Sequence, residues 1–172
     1  EIKNSTTGSG TGFGTINVID ITGNDNTVNS NTIVGNSADL IYGINFGTDS
    51  NRNTINSNKI TLNSAYYTAG IQIGSLNYNN TINSNTVNLT SSISYGIIAT
   101  PWAGEVTGTI IESNKIYITA NQLWGIELCG SSPDFIKDTT INKNDITVNG
   151  NYSIGIAVSG NNINIATNTL TS

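Results

Sequence analysis

Four side chains have the best prospect of chemistry in this sequence: Trp102, Glu105, Asp134 and Asp138. They lie on two stretches, 100–108 and 129–138, that are rich in Gly, Ser and Pro and sit about one repeat apart. An aromatic face can stack on a sugar ring while carboxylates accept bonds from its hydroxyls or hold a cation. The plainer reading is that Trp102 and Phe135 pack two long loops onto the body of the protein. Beyond this group the inventory is thin. The chain has no His, and its one Cys, Cys129, can form no internal disulfide and has no neighbour in sequence that would activate a thiolate. Asp and Glu number 11, scattered along the chain. Acid–base or metal chemistry needs such groups to converge on one place.

Where they converge depends on the elements beneath them, and those repeat. Val28-Asn-Ser-Asn31-Thr-Ile33 returns as Ile55-Asn-Ser-Asn58-Lys-Ile60 and Ile82-Asn-Ser-Asn85-Thr-Val87. It continues as Ile111-Glu-Ser-Asn114-Lys-Ile116, Ile141-Asn-Lys-Asn144-Asp-Ile146 and Ile165-Ala-Thr-Asn168-Thr-Leu170. A second motif alternates with it: Gly43-Ile-Asn-Phe46, Gly70-Ile-Gln-Ile73, Gly96-Ile-Ile-Ala99, Gly125-Ile-Glu-Leu128 and Gly155-Ile-Ala-Val158. Repeats of 24–30 residues made of short period-2 segments predict a solenoid of about six rungs with three short strands each. No 3.6-residue periodicity competes. The fold class expected is all-β.

Alternation sets the facing. Val28, Ile55, Ile82, Ile111, Ile141 and Ile165 should stack inward at ~4.8 Å per rung. Ile33, Ile60, Val87, Ile116, Ile146 and Leu170 form a second stack, and Leu62, Leu89, Ile118 and Val148 a third. Ile44, Ile71, Ile97, Ile126 and Ile156 form a fourth, with Phe46, Ile73, Ala99, Leu128 and Val158 beside them. Gly and Asn are expected at corners, where tight bends or positive φ arise. The Asn that never varies (Asn31, Asn58, Asn85, Asn114, Asn144, Asn168) fits an inward ladder. Its amide would bond its own turn and the Asn of the next rung, satisfying groups that would otherwise be buried unpaired.

These stacked units with an asparagine ladder resemble the right-handed parallel β-helix of the pectate-lyase-like superfamily. They are most similar to the Asn/Thr-rich repeats of surface adhesin-like proteins. The resemblance spans roughly residues 16–172 and implies the right-handed fold. It carries over no active site, because enzymes of this fold cluster carboxylates on one outward row. The row inside the Gly-Ile motif reads Asp20, Asn45, Gln72, Ile98, Glu127, Ala157, with no neighbouring acids. The rows Thr32, Lys59, Thr86, Lys115, Asp145, Thr169 and Asn29, Asn56, Asn83, Glu112, Asn142, Ala166 have none either. The expectation is a protein that is not an enzyme and holds no metal or cofactor.

Charged residues make up 10% of the chain and the net charge is −5, with six Lys and Arg spread along it, so no basic patch invites nucleic acid. No apolar run reaches the ~20 residues of a membrane-spanning helix. A file of Thr27, Thr54, Thr81 and Thr140 is broken by Ile110 and Asn164, which argues against a flat ice-binding face. An aromatic row, Tyr42, Ala69, Tyr95, Trp124, Ile154, precedes the motif glycine and reads as ring edges covering the glycine backbone, or as a partial glycan platform. The chain reads as a single domain, 1–172, with residues 1–14 as an extension or cap and 15–172 as rungs. It opens on Glu1 and has no Met, as in a processed or excised segment, and it stops inside a rung at Ser172. Open rungs predict self-association, head to tail or with neighbouring repeats. The function expected is structural, at the cell surface or outside it: a layer, sheath, filament or adhesin. The alternative is a carbohydrate-binding or carbohydrate-modifying module using loops 100–108 and 129–138. If exported, the chain could carry N-glycans at Asn4, Asn79, Asn88 and Asn151.

Overall fold

The computed structural model describes residues 14–37, 39–132 and 135–172, and the backbone of residues 2–5. The chain winds as a parallel β-solenoid of about six turns. Three columns of strands build it. The first holds β3 (Thr27–Asn29), β6 (Thr54–Asn56), β10 (Thr81–Asn83), β13 (Ile110–Glu112), β16 (Thr140–Asn142) and β19 (Asn164–Ala166). The second begins with β1 (Ile2–Ser5), β4 (Thr32–Ser37) and β7 (Lys59–Ser64) and ends with β17 (Asp145–Asn149) and β20 (Thr169–Thr171). The third holds β2 (Thr15–Ile21), β5 (Leu40–Phe46), β8 (Tyr67–Ile73) and β18 (Tyr152–Ser159). In the middle rungs the second and third columns fuse, as β11 (Thr86–Ala99) and β14 (Lys115–Cys129). A further small sheet, β9 (Asn77–Tyr78), β12 (Val106–Thr107) and β15 (Ile136–Lys137), closes the turn back to the first column.

Every pairing is parallel and in the register that the repeats imply. Val28, Ile55, Ile82, Ile111, Ile141 and Ile165 are Cα partners in series. Ile33, Ile60, Val87, Ile116, Ile146 and Leu170 form the second series. Between the ends these residues are fully buried, so each contributes ~1.5–3 kcal/mol against the backbone entropy of its rung. In the last described rung the corresponding side chains are more open. There Ile165 is 50% and Leu170 55% exposed.

The corner between the first and second columns explains the Asn-Ser-Asn signature. Ser30, Ser57, Ser84 and Ser113 adopt left-handed backbone with φ of 55–58°, and Lys143 and Thr167 take the same place at 53° and 54°. The Ser30, Ser57 and Ser84 hydroxyls donate to the Asn before them, Asn29, Asn56 and Asn83. The motif glycine has another cause than positive φ, which it does not show. A Cβ on Gly43, Gly70, Gly96 or Gly125 would lie 2.4–2.6 Å from the carbonyl oxygen of the glycine one rung on. Close approach of successive backbones, rather than handedness, requires glycine there.

Candidate functional site

The asparagine ladder is continuous through all six rungs. Asn31 donates its backbone N–H and its Nδ2 to Asn58 Oδ1, at 2.9 and 3.1 Å. Asn58 does the same to Asn85, Asn85 to Asn114, Asn114 to Asn144 and Asn144 to Asn168. The second hydrogen of each Nδ2 goes back to the preceding rung: Asn58 to Val28 O, Asn85 to Ile55 O, Asn114 to Ile82 O, Asn144 to Ile111 O and Asn168 to Ile141 O. The own-turn bond expected from the sequence occurs only at Asn31, whose Nδ2 reaches Asn29 O at 3.1 Å. Among the described residues no first-column strand pairs with the outer edge of β3, and that amide turns back on its own corner.

The two ends of the ladder are therefore chemically unlike. At one end Asn31 Oδ1 accepts from no described group, and at the other the Asn168 N–H and one Nδ2 hydrogen have no acceptor among the described residues. The apolar columns open beside Asn168 through Ile165 and Leu170. One face thus presents donors over exposed aliphatics, and the other presents an acceptor over half-buried Val28.

A second ladder, which the sequence reading missed, occupies the corner before the first column. Asn26 donates to Asn53 Oδ1, and the Asn53 N–H to Asn80 Oδ1 at 2.8 Å. Buried Thr109 and Thr139 continue the column. Its signal was present: each of these residues stands two places before a first-column aliphatic.

The aromatic row closes into a spine. Ala69 would leave a gap, but Tyr67 from the adjacent outward row leans over it, and Ala69 is 0% exposed. The rings run Tyr42, Tyr67, Tyr95, Trp124 with centroids 5.9, 5.3 and 4.7 Å apart, and the last pair is stacked at 6°. Tyr95 and Trp124 cover each other's faces, whereas Tyr42 meets Tyr67 edge to face at 83° and Tyr67 and Tyr95 are tilted by 36°. Burial, with the Glu127 charge, pushes the Tyr95 phenol up to about 12, and burial raises Tyr67 further still. Burial also raises the Glu127 carboxyl above its ordinary value. Cys129, beside it, is raised by burial and by the Glu127 charge, which is unlike an activated thiolate.

The two loops do meet. β12 and β15 pair within them, and Lys137 Nζ binds Glu105 Oε1 at 2.5 Å. That contact commits the Glu105 carboxylate. Asp138, at φ 48°, accepts from Asn162 Nδ2. Trp102 does not pack its loop down but stands 85% exposed, while its backbone N–H reaches Ser75 Oγ. Asp134 lies outside the described residues. Among the described residues, no group of three His, Cys, Asp or Glu is placed to hold a metal. Of the sequons, Asn79 and Asn151 are exposed, and Asn88 is half-buried in β11, where it lines an open groove of about 510 Å³ with Thr61, Leu62, Asn63, Leu89 and Tyr117. Asn4 lies in β1. No protein-family model, curated protein or solved structure matches this chain.

Proposed function

We propose that this chain is a non-enzymatic structural segment that extends end to end into a longer β-solenoid, at the cell surface or outside the cell. The observation that carries this reading is the complementarity of the ladder ends. Asn168 offers two unused donors where Asn31 offers an unused acceptor, and Ile165 and Leu170 stand open beside them. About half of each side chain is already covered, so burying the rest under another rung is worth ~1 kcal/mol each. A parallel edge with free N–H and C=O groups templates further pairing. Such head-to-tail contacts build filaments rather than closed rings. The finer kinship, with the pectate-lyase-like superfamily and adhesin-like surface proteins, is part of this proposal and rests on the ladder and the repeat.

The test is electron microscopy and sedimentation velocity across a concentration series. Rods that lengthen with concentration, and that Leu170→Lys keeps short, are the expected outcome. Single short rods at every concentration would refute end-to-end extension.

One observation favours a second reading. Trp102 is a large aromatic held almost wholly in water at the tip of a loop, as a stacking contact for a glycan would be. Binding of oligosaccharides that Trp102→Ala abolishes would support it, and equal binding by both forms would remove it.

A further inference from the structure

The outward face of the second column carries a groove with an unusual lining. Along β7, β11 and β14 the backbone groups are taken up by the parallel pairing, and Leu62, Leu89 and Ile118 alternate inward. The residues between them therefore face out. Register sets these in two files along the axis. One holds Thr61, Asn88 and Tyr117, and the other Asn36, Asn63, Thr90 and Thr119. Both files line the open groove of about 510 Å³, with Leu62 and Leu89 beneath, only 1% and 3% exposed.

On the first column the outward amides are engaged by the protein itself: Asn29, Asn56 and Asn83 each accept from the next serine hydroxyl. At the neighbouring corner Asn24 accepts the Asn51 N–H. The groove is the contrast. Among the described residues, the side chains of Asn36, Thr61, Asn63, Asn88, Thr90 and Thr119 make no hydrogen bond to the protein. No Lys, Arg, Asp or Glu lines it either. Lys59 and Lys115 stand one file further out, and Lys115 is the Cα partner of Asp145.

We propose that this groove binds a neutral oligosaccharide chain lying along the solenoid axis. The chemistry of the lining selects that class. An amide both donates and accepts, as a hydroxyl does, so the two files can pair with ligand hydroxyls in either sense. Tyr117 adds a ring on which the C–H face of a sugar can pack. A charged ligand finds no opposite charge in the lining, and the net charge of −5 further disfavours an anion. The files recur on successive rungs, ~4.8 Å apart, so the ligand that matches them also repeats, as a polymer does. The site is separate from Trp102, which follows the third column and does not line the groove. It needs no contact between copies and does not depend on the end-to-end reading.

The test is isothermal titration calorimetry with soluble gluco-, manno-, xylo- and N-acetylglucosamine oligomers of increasing length. The protein is made in a host that leaves Asn88, a sequon asparagine, unmodified. Binding should tighten as the oligomer lengthens and level off once it covers the rungs that line the groove. Asn63→Ala combined with Asn88→Ala removes two amides and should weaken binding by about tenfold or more. Tyr117→Ala should weaken it independently, and circular dichroism melting establishes that each variant is folded. Trp102→Ala should bind as the parent does. Equal binding by the parent and the double variant would overturn the proposal, as would the absence of binding to every neutral oligomer. Loss of binding in Trp102→Ala alone would assign it to the loop and overturn the groove. Preference for a uronic-acid oligomer, lost with added salt and with Lys59→Ala, would place the contact on the lysine file and overturn the neutral ligand.

Discussion

Replacing Asn85 by Leu tests whether the ladder holds the solenoid together. Asn85 is fully buried and takes part in four bonds through its side chain. Its Oδ1 accepts the Asn58 N–H and Nδ2, and its Nδ2 donates to Ile55 O and Asn114 Oδ1, all at 3.0 Å. Leu leaves two donors on Asn58 without an acceptor in a site closed to water. At ~1–3 kcal/mol each, the penalty is ~2–6 kcal/mol, and the added apolar burial returns ~1–2 kcal/mol. The net loss falls between ~0 and ~5 kcal/mol, with a central expectation of ~2.5 kcal/mol. The control is Asn83→Ala, two residues away on the outward face, which loses one bond from the Ser84 hydroxyl and should stay within ~0.5 kcal/mol. Urea unfolding followed by circular dichroism measures both, with the slope checked for loss of two-state behaviour, a known hazard of repeat arrays. A double substitution, Asn58→Leu with Asn85→Leu, should cost less than the two singles together, because it removes one of the donors that the second single orphans. If Asn85→Leu costs no more than Asn83→Ala, the ladder is incidental to stability and the reasoning fails.

Other outcomes follow from the same geometry. Gly96→Ala places a Cβ 2.4 Å from the Gly125 carbonyl oxygen and 2.5 Å from Ile116 Cγ2, so it should lower stability by ~1–3 kcal/mol or more in the same urea assay. Glu127 has a raised folded-state value, so the fold holds its proton more tightly than the unfolded chain does. Its contribution is full below the ordinary 4.5 and is lost as pH rises through the folded value. Glu127→Gln should remove that slope from a plot of melting temperature against pH, and an unchanged slope would contradict it. Arg52 binds Asp25 through two hydrogen bonds, at 2.8 and 2.7 Å, and this holds the Asp25 carboxyl below its ordinary range. Both side chains are largely in water, so Arg52→Ala should leave the urea midpoint where it was.

The columns were legible because a solenoid presents its third dimension as a period. Ile55 and Ile82 lie 27 residues apart and become Cα partners, and the ladder asparagines follow the same rule. What the period hides is sideways reach. Nothing in the row Tyr42, Ala69, Tyr95 says that Tyr67, two positions before Ala69, will lean across to fill the gap. Nor does the repeat say which way an amide bonds, and the own-turn partner occurs only at Asn31 among the ladder asparagines, the first of the series. Glycine is common at bends, but a bend is not what requires the motif glycine. Its cause is contact between successive backbones, a distance that alternation does not encode. The loops that bear the candidate carboxylates pair through β12 and β15, and Lys137, from the neighbouring rung, engages Glu105, while Asp138 accepts from Asn162.

The ladder has one electrical consequence. Every Oδ1 in it faces the rung before, so the side-chain amides lean the same way along the axis. Aligned amide dipoles add, as they do in an α-helix, and leave partial charge at the two ends. The rod thus carries an axial macrodipole, negative toward Asn31 and positive toward Asn168. Two rods meeting like end to like end repel over the last few ångströms, whereas unlike ends attract. Polarity along a growing fibre would then be chosen by buried amides, in a protein whose surface carries few charges to choose it.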